Sequence, residues 1–142
     1  MATIRKFEDL EIWQLAREQA KEVYKLTQLA TFAKDFDLKN QINASAGSSM
    51  DNIAEGFERF TNREFSNFLV ISKGSNGEVR SQLYRAFDRC HISAVTLKER
   101  LDFSIMLGNK INAFIGYLKT SQYKDKPLRS DEHPTSDLQL PT

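Results

Sequence analysis

No proline stands between Met1 and Lys126; all three, Pro127, Pro134 and Pro141, fall near the end of the chain. A proline inside a helix costs about 3 kcal/mol, because it removes a backbone donor and its ring strikes the preceding turn. The proline-free stretch therefore permits long unbroken helices, and its apolar residues recur at helical steps. From about Phe7 to Ala30, Leu10, Trp13, Ala16, Ala20, Val23, Thr27 and Ala30 follow one another at three- and four-residue intervals. Ile12, Leu15 and Leu26 widen that stripe. A second helix is predicted from Asp35 or Asp37, either of which can cap it, to between Gly56 and Arg59. A third begins at Thr61, with Glu64 three residues on completing a capping box. Its inner face is predicted to hold Phe65, Phe68, Leu69, Ser72, Asn76, Val79, Leu83, Ala86 and Phe87. A fourth starts near Ser93 and carries Leu97, Leu101, Leu107, Ile111, Phe114 and Leu118. Strand patterns are absent and the connections are short, so neighbouring helices run antiparallel. The expected fold is all-α, an antiparallel up-and-down four-helix bundle.

A chain of 142 residues has room for one domain with a sizeable core. That domain is placed at residues 1–122, and the polar stretch 123–142 reads as a disordered tail. Twenty Lys and Arg against 19 Asp and Glu leave a net charge of +1, which disfavours nucleic-acid binding through overall charge alone. No apolar run approaches the roughly 20 residues of a membrane span, and MATIRKFEDL holds no signal-peptide core, so a cytoplasmic location is expected. The single cysteine, Cys90, excludes an intrachain disulfide framework.

The second and third helices lack large side chains where a core helix would place them. Ala44 to Ser49 reads Ala-Ser-Ala-Gly-Ser-Ser, and the third helix answers with Ser72, Gly74, Ser75, Asn76 and Gly77. Folding back near Phe60 pairs residues whose numbers sum to about 120, setting Ser45 against Ser75, Ser48 against Ser72, and Gln41 near Glu78. Such a seam lets two helix axes approach closely. It also buries hydroxyls and amides, each of which needs a partner or costs about 1–3 kcal/mol.

Several motifs occur in order along the chain: F-x-D-L-x-I-W at Phe7 to Trp13, V-Y-K-L-T at Val23 to Thr27, and L-x-x-Q-I at Leu38 to Ile42. S-x-x-x-N-I-A-E-G-F follows at Ser48 to Phe57, R-x-T-x-x-E-F-x-x-F-L at Arg59 to Leu69, and G-S-x-x-E at Gly74 to Glu78. Over about Ile4 to Ser121 the chain resembles the bacterial four-helix bundle family first met as proteins encoded in 23S rRNA intervening sequences. The accessory variability determinants (Avd) of diversity-generating retroelements are relatives of that family. The resemblance implies a bundle that assembles into a homopentameric ring, without an established enzymatic activity. In the retroelement branch it implies a basic funnel that binds a reverse transcriptase and nucleic acid. Gln41, Ser48, Asn52, Glu55, Gly56, Ser75 and Glu78 match the signature and read as structural.

Catalytic chemistry finds little footing in the residues. A di-metal centre in a bundle needs two Glu-x-x-His pairs, and a thiolate zinc site needs more than Cys90 and His91, so no metal or cofactor is expected. Arg85-x5-His91 fits the R-x(4–6)-H pattern of HEPN-like helical ribonucleases, with His as acid or base and Arg against the phosphate. A histidine at a helix end more commonly satisfies terminal carbonyls. The favoured reading is a non-enzymatic oligomeric adaptor or scaffold, with a small ribonuclease using Arg85 and His91 as the alternative.

Basic residues supply the other handle. Arg80, Arg85 and Arg89 crowd the end of the third helix, and Lys98 and Arg100 follow across the turn. Repeated around a ring, such a patch would gain avidity toward RNA, DNA or a reverse transcriptase without raising the charge per chain. No stacking platform or groove-reading helix is recognisable, so little base preference is expected. Trp13 and the phenylalanines at helical spacing read as core.

Overall fold

The computed structural model describes residues 3–120 and the pair 138–139. Four helices carry the architecture: α1 (Glu11–Thr27), α2 (Phe36–Phe57), α3 (Asn62–Asp88) and α4 (Ala94–Thr120). Short 3-10 turns, Phe7–Asp9 and Phe32–Lys34, precede α1 and α2. α3 lies between α2 and α4, and α1 closes the square against the same two helices. Side-chain bonds fix the antiparallel sense: Ser48 meets Ser75 across α2 and α3, Lys73 meets Asn112 across α3 and α4, and Lys110 pairs with Glu11 across α4 and α1. The fold is the four-helix bundle that the periodicity predicts.

Three of the helix starts are built from local polar chemistry. Asp35 caps α2 by accepting the Leu38 N–H, settling the choice between Asp35 and Asp37. Thr61 Oγ1 accepts the Glu64 N–H, which is the first half of the predicted capping box, but Glu64 Oε2 reaches back to the Thr61 hydroxyl and not to its backbone N–H; Ser93 Oγ accepts the Thr96 N–H before α4. The first helix is shorter than its stripe. Leu10 is extended and fully buried, so the chain breaks between the turn Phe7–Asp9 and α1. At the other end α1 stops at Thr27, whose hydroxyl donates to the Tyr24 carbonyl and accepts from Asn43, and Ala30 turns the chain with φ 44°.

Strands were not expected, yet the backbone of Thr3–Ile4 pairs antiparallel with Leu138–Gln139 in a two-residue ladder. Ile4 beside it is buried in the core, which anchors the N-terminal side of the pair. The rest of the expected tail, and with it the boundary at 122, lies outside the described residues.

The core has two apolar bodies. One gathers Leu10, Ile53, Phe57, Phe65, Leu69, Leu107, Ile111, Phe114 and their neighbours around the α2–α3 turn. The other gathers Val23, Phe32, Leu38, Ile42, Val79, Leu83 and Leu97 at the opposite end. Between them lie Gln19, Ser49, Ser72, Asn76 and Ser104, all buried. Most of the predicted inner face of α3 is buried, but Phe87 is 38% exposed because the helix ends one residue later, where no neighbour covers it. Gly56 marks a close approach: a Cβ there would lie 2.9 Å from Phe65 Cδ1 and from Phe68 Cβ, so only glycine lets the turn fold this tightly.

Candidate functional site

Helices α2 and α3 meet along hydroxyls, as the small residues predict, but the pairing is shifted. Ser49 Oγ lies 3.1 Å from Ser72 Oγ, and Ser72 Oγ donates to the Ser49 carbonyl at 2.6 Å. Ser48 Oγ lies 2.9 Å from Ser75 Oγ, so Ser48 pairs with Ser75, and Ser49 rather than Ser48 meets Ser72. Gln41 likewise meets Arg85 rather than Glu78, with Arg85 Nη1 donating to Gln41 Oε1 at 2.7 Å. Ser75 thus meets Ser48 and not Ser45, and the residue numbers of these pairs sum to more than the expected 120, so the fold-back is centred beyond Phe60. Asn52 secures the seam from its own helix, donating to the Ser48 carbonyl at 2.8 Å. Glu55 forms an exposed pair with Arg59 one turn on.

Three helices share one buried network that the apolar stripes did not reveal. Gln19 Nε2 donates to Asn76 Oδ1 at 3.0 Å, Ser104 Oγ donates to the same oxygen at 2.8 Å, and Asn76 Nδ2 donates to the Ser104 carbonyl at 2.8 Å. Gln19 was legible in hindsight, since it follows Ala16 by three on the buried face of α1.

His91 follows the end of α3, where the sequence admits a cap or a catalytic role. The helix end is closed by backbone alone: Cys90 adopts φ 62°, its N–H donates to the Phe87 carbonyl, and the His91 N–H donates to the Ala86 carbonyl. That is a Schellman closure with cysteine where glycine is usual. The imidazole turns instead to the other loop, stacking on Phe32 at 5.0 Å between ring centres. Its Nε2 lies 2.8 Å from Asp35 Oδ2, and its Nδ1 lies 2.8 Å from Thr31 Oγ1. Arg89 Nη1 adds a bond to Asp35 Oδ2 at 2.9 Å. His91 foremost, then Arg89, hold the Asp35 carboxyl down at about 2.

The five expected basic residues do not form one patch. Arg85 and Arg89, one turn apart on α3, both reach α2, at Gln41 and Asp35. Arg80 turns to α4, its Nη1 3.9 Å from where a Cβ of Gly108 would stand. Lys98 pairs with Asp102 in the open, and Arg100 lies over the Phe103 ring at 5.1 Å. Arg85 and His91, the ribonuclease pair, are thus each engaged with a different partner.

Beside Arg85, α2 and α3 part to leave an open groove of about 490 Å³. Gln41 and Ser45 form one wall; Glu78, Ser81, Gln82 and Arg85 form the other. Glu78 is exposed and makes no ion pair among the described residues, and Gln82 is 8% exposed with an Oε1 that accepts no hydrogen bond. Two of the signature residues, Gln41 and Glu78, therefore line this groove.

Helices of this length and order, with a hydroxyl seam and a polar middle, define a four-helix bundle protein whose central layer sets helix pairing. Residues 8–113 match the family model of the 23S rRNA-intervening sequence protein, and the chain belongs to that family. No curated protein sequence matches the chain. No helix among the described residues is long and apolar enough to cross a membrane.

Proposed function

We propose that this protein is a non-enzymatic oligomeric adaptor that assembles as a homopentameric ring and contacts nucleic acid, or a reverse transcriptase bound to it, through basic residues repeated around the ring. The observation that carries the assembly is the outer face of α3. Val70 and Ile71 are 57% and 51% exposed there, and open space lies over Gly47, Gly74 and Gly77 on α2 and α3. A smooth surface with apolar flanks is what a neighbouring helix needs in order to pack closely. Arg85 and Arg89 on the same side of the bundle supply the contact to phosphate, and repetition would supply avidity.

Light scattering coupled to size exclusion tests the assembly, with five subunits expected and a monomer at micromolar concentration refuting it. Val70→Glu with Ile71→Glu should dissociate the ring while leaving helicity intact. Binding to single- and double-stranded RNA and DNA, titrated at two salt concentrations, tests the contact. Affinity should fall steeply with salt and should weaken when Arg85 and Arg89 are changed to glutamine.

A further inference from the structure

The groove between α2 and α3 holds more chemistry than packing requires. A seam made only to join helices would close over, as it does one turn further on, where Ser48 and Ser75 bond directly. Here it opens to about 490 Å³ and is lined by hydroxyls, two amides, a carboxylate and a guanidinium. One of these groups is unspent: Glu78, on the same wall as Arg85, is an exposed carboxylate that makes no ion pair or hydrogen bond among the described residues. Gln82 lines the groove as well, but its Oε1 is enclosed by the protein and meets no donor among the described residues. The groove thus presents an unused carboxylate beside a cation, and the positive charge continues outward: Arg89 is one turn beyond Arg85, and its side chain is 44% exposed with a single nitrogen engaged by Asp35. Guanidinium groups one turn apart on a helix stand about 5–6 Å apart at their roots, a separation suited to neighbouring phosphates on one strand.

The ligand that answers this arrangement carries adjacent N–H donors on one edge and an anion on a short tether. Among nucleobases, guanine alone offers two adjacent N–H donors, N1–H and the 2-amino group, which a carboxylate accepts as a pair. Adenine and cytosine each place a bare ring nitrogen beside their amino group, which a carboxylate repels. Such an edge is reachable only when the base is unpaired. Resting on the nucleic-acid contact proposed above, we infer that the α2–α3 groove holds one unpaired guanine of a single strand. Glu78 reads its Watson–Crick edge, Gln82 and the hydroxyls of Ser45 and Ser81 complete the lining, and Arg85 and Arg89 hold the flanking phosphates.

The test is fluorescence anisotropy on the full chain with labelled strands of about ten nucleotides, near the footprint of a small single-strand site. An all-uridine strand, the same strand with one central guanine, and the same with one central adenine are compared at low salt, with DNA equivalents alongside. The guanine strand should bind about 5- to 150-fold more tightly than the other two, the range of one good paired contact. Glu78→Gln should erase that preference, so that the three strands bind alike, and Arg85→Gln with Arg89→Gln should weaken all strands together. Preference in RNA, DNA or both supports the inference and tells whether the sugar is also read. Equal binding of the three strands by the parent protein, or a guanine preference that survives Glu78→Gln, overturns the inference and leaves the nucleic-acid contact standing. Absence of binding to any strand at low salt removes that contact and the inference with it.

Discussion

Asn76 and Ser104 bond each other in both directions: the Asn76 amide donates to the Ser104 carbonyl at 2.8 Å, and the Ser104 hydroxyl donates to Asn76 Oδ1 at 2.8 Å. Both residues are fully buried, and Gln19 completes the set from α1. Asn76→Ala strands the Gln19 amide and leaves the Ser104 hydroxyl only its long contact to the backbone carbonyl of residue 76, at 3.4 Å. With each abandoned group costing about 1–3 kcal/mol, the loss should be about 2–4 kcal/mol. Urea denaturation at one fixed protein concentration measures it, and a loss below about 1 kcal/mol would show that the network contributes little.

Gly56→Ala asks α2 to accept a methyl where 2.9 Å separates the new carbon from Phe65 and Phe68. The Phe65 ring can turn, but the Phe68 Cβ is tied to the backbone. Destabilisation of about 1–3 kcal/mol is expected despite the better helix propensity of alanine. An unchanged melting midpoint would show that the turn can spread without cost.

Cys90→Gly should act in the opposite direction. At φ 62° a side chain crowds the following carbonyl, and glycine relieves this at the cost of a freer unfolded chain. A net gain of about 1 kcal/mol in denaturant titration is expected, with the His91–Asp35 bond preserved. A loss of stability would mean that the Cys90 side chain makes a contribution of its own.

Asp35→Asn tests the junction of the two loops through pH. The Asp35 carboxyl is held at about 2, below its ordinary 3.8, first by the bond from His91 and then by that from Arg89. A depressed carboxyl pKa stabilises the fold fully above 3.8 and loses that contribution as pH falls from about 4 toward 2. The melting temperature of the parent should exceed that of Asp35→Asn at neutral pH, and the gap should narrow across that acid window. A gap independent of pH would locate the effect in the helix cap, not in the charge.

The helices were legible because their signals are local. Thr61 and Asp35 each act within one turn and cap their helices where the spacing placed them, whereas of the small residues from Ala44 to Ser49 only Ser45, Ala46 and Ser49 are buried and Gly47 faces open space. What remained hidden depends on residues far apart in sequence. His91 and Asp35 are 56 positions apart, and Gln19 and Asn76 are 57 apart, so no window on either residue announces the other. The register of the seam likewise joins residues of two different helices, as in Ser48–Ser75, 27 positions apart, and Gln41–Arg85, 44 apart. The basic cluster was read from proximity along the chain, yet side-chain direction divides it among α2, α4 and solvent.

The layer of polar residues between the two apolar bodies works as an alignment key. Leucines facing leucines would find similar contacts after one helix slid along another by a turn, about 5.4 Å. The Gln19–Asn76–Ser104 set cannot, because a slid helix would carry these buried amides and the hydroxyl away from their partners. Helices held to a single setting keep the residues on their outer faces in fixed mutual positions. Each copy of the chain would then offer the same outline to the next, as repeated assembly requires.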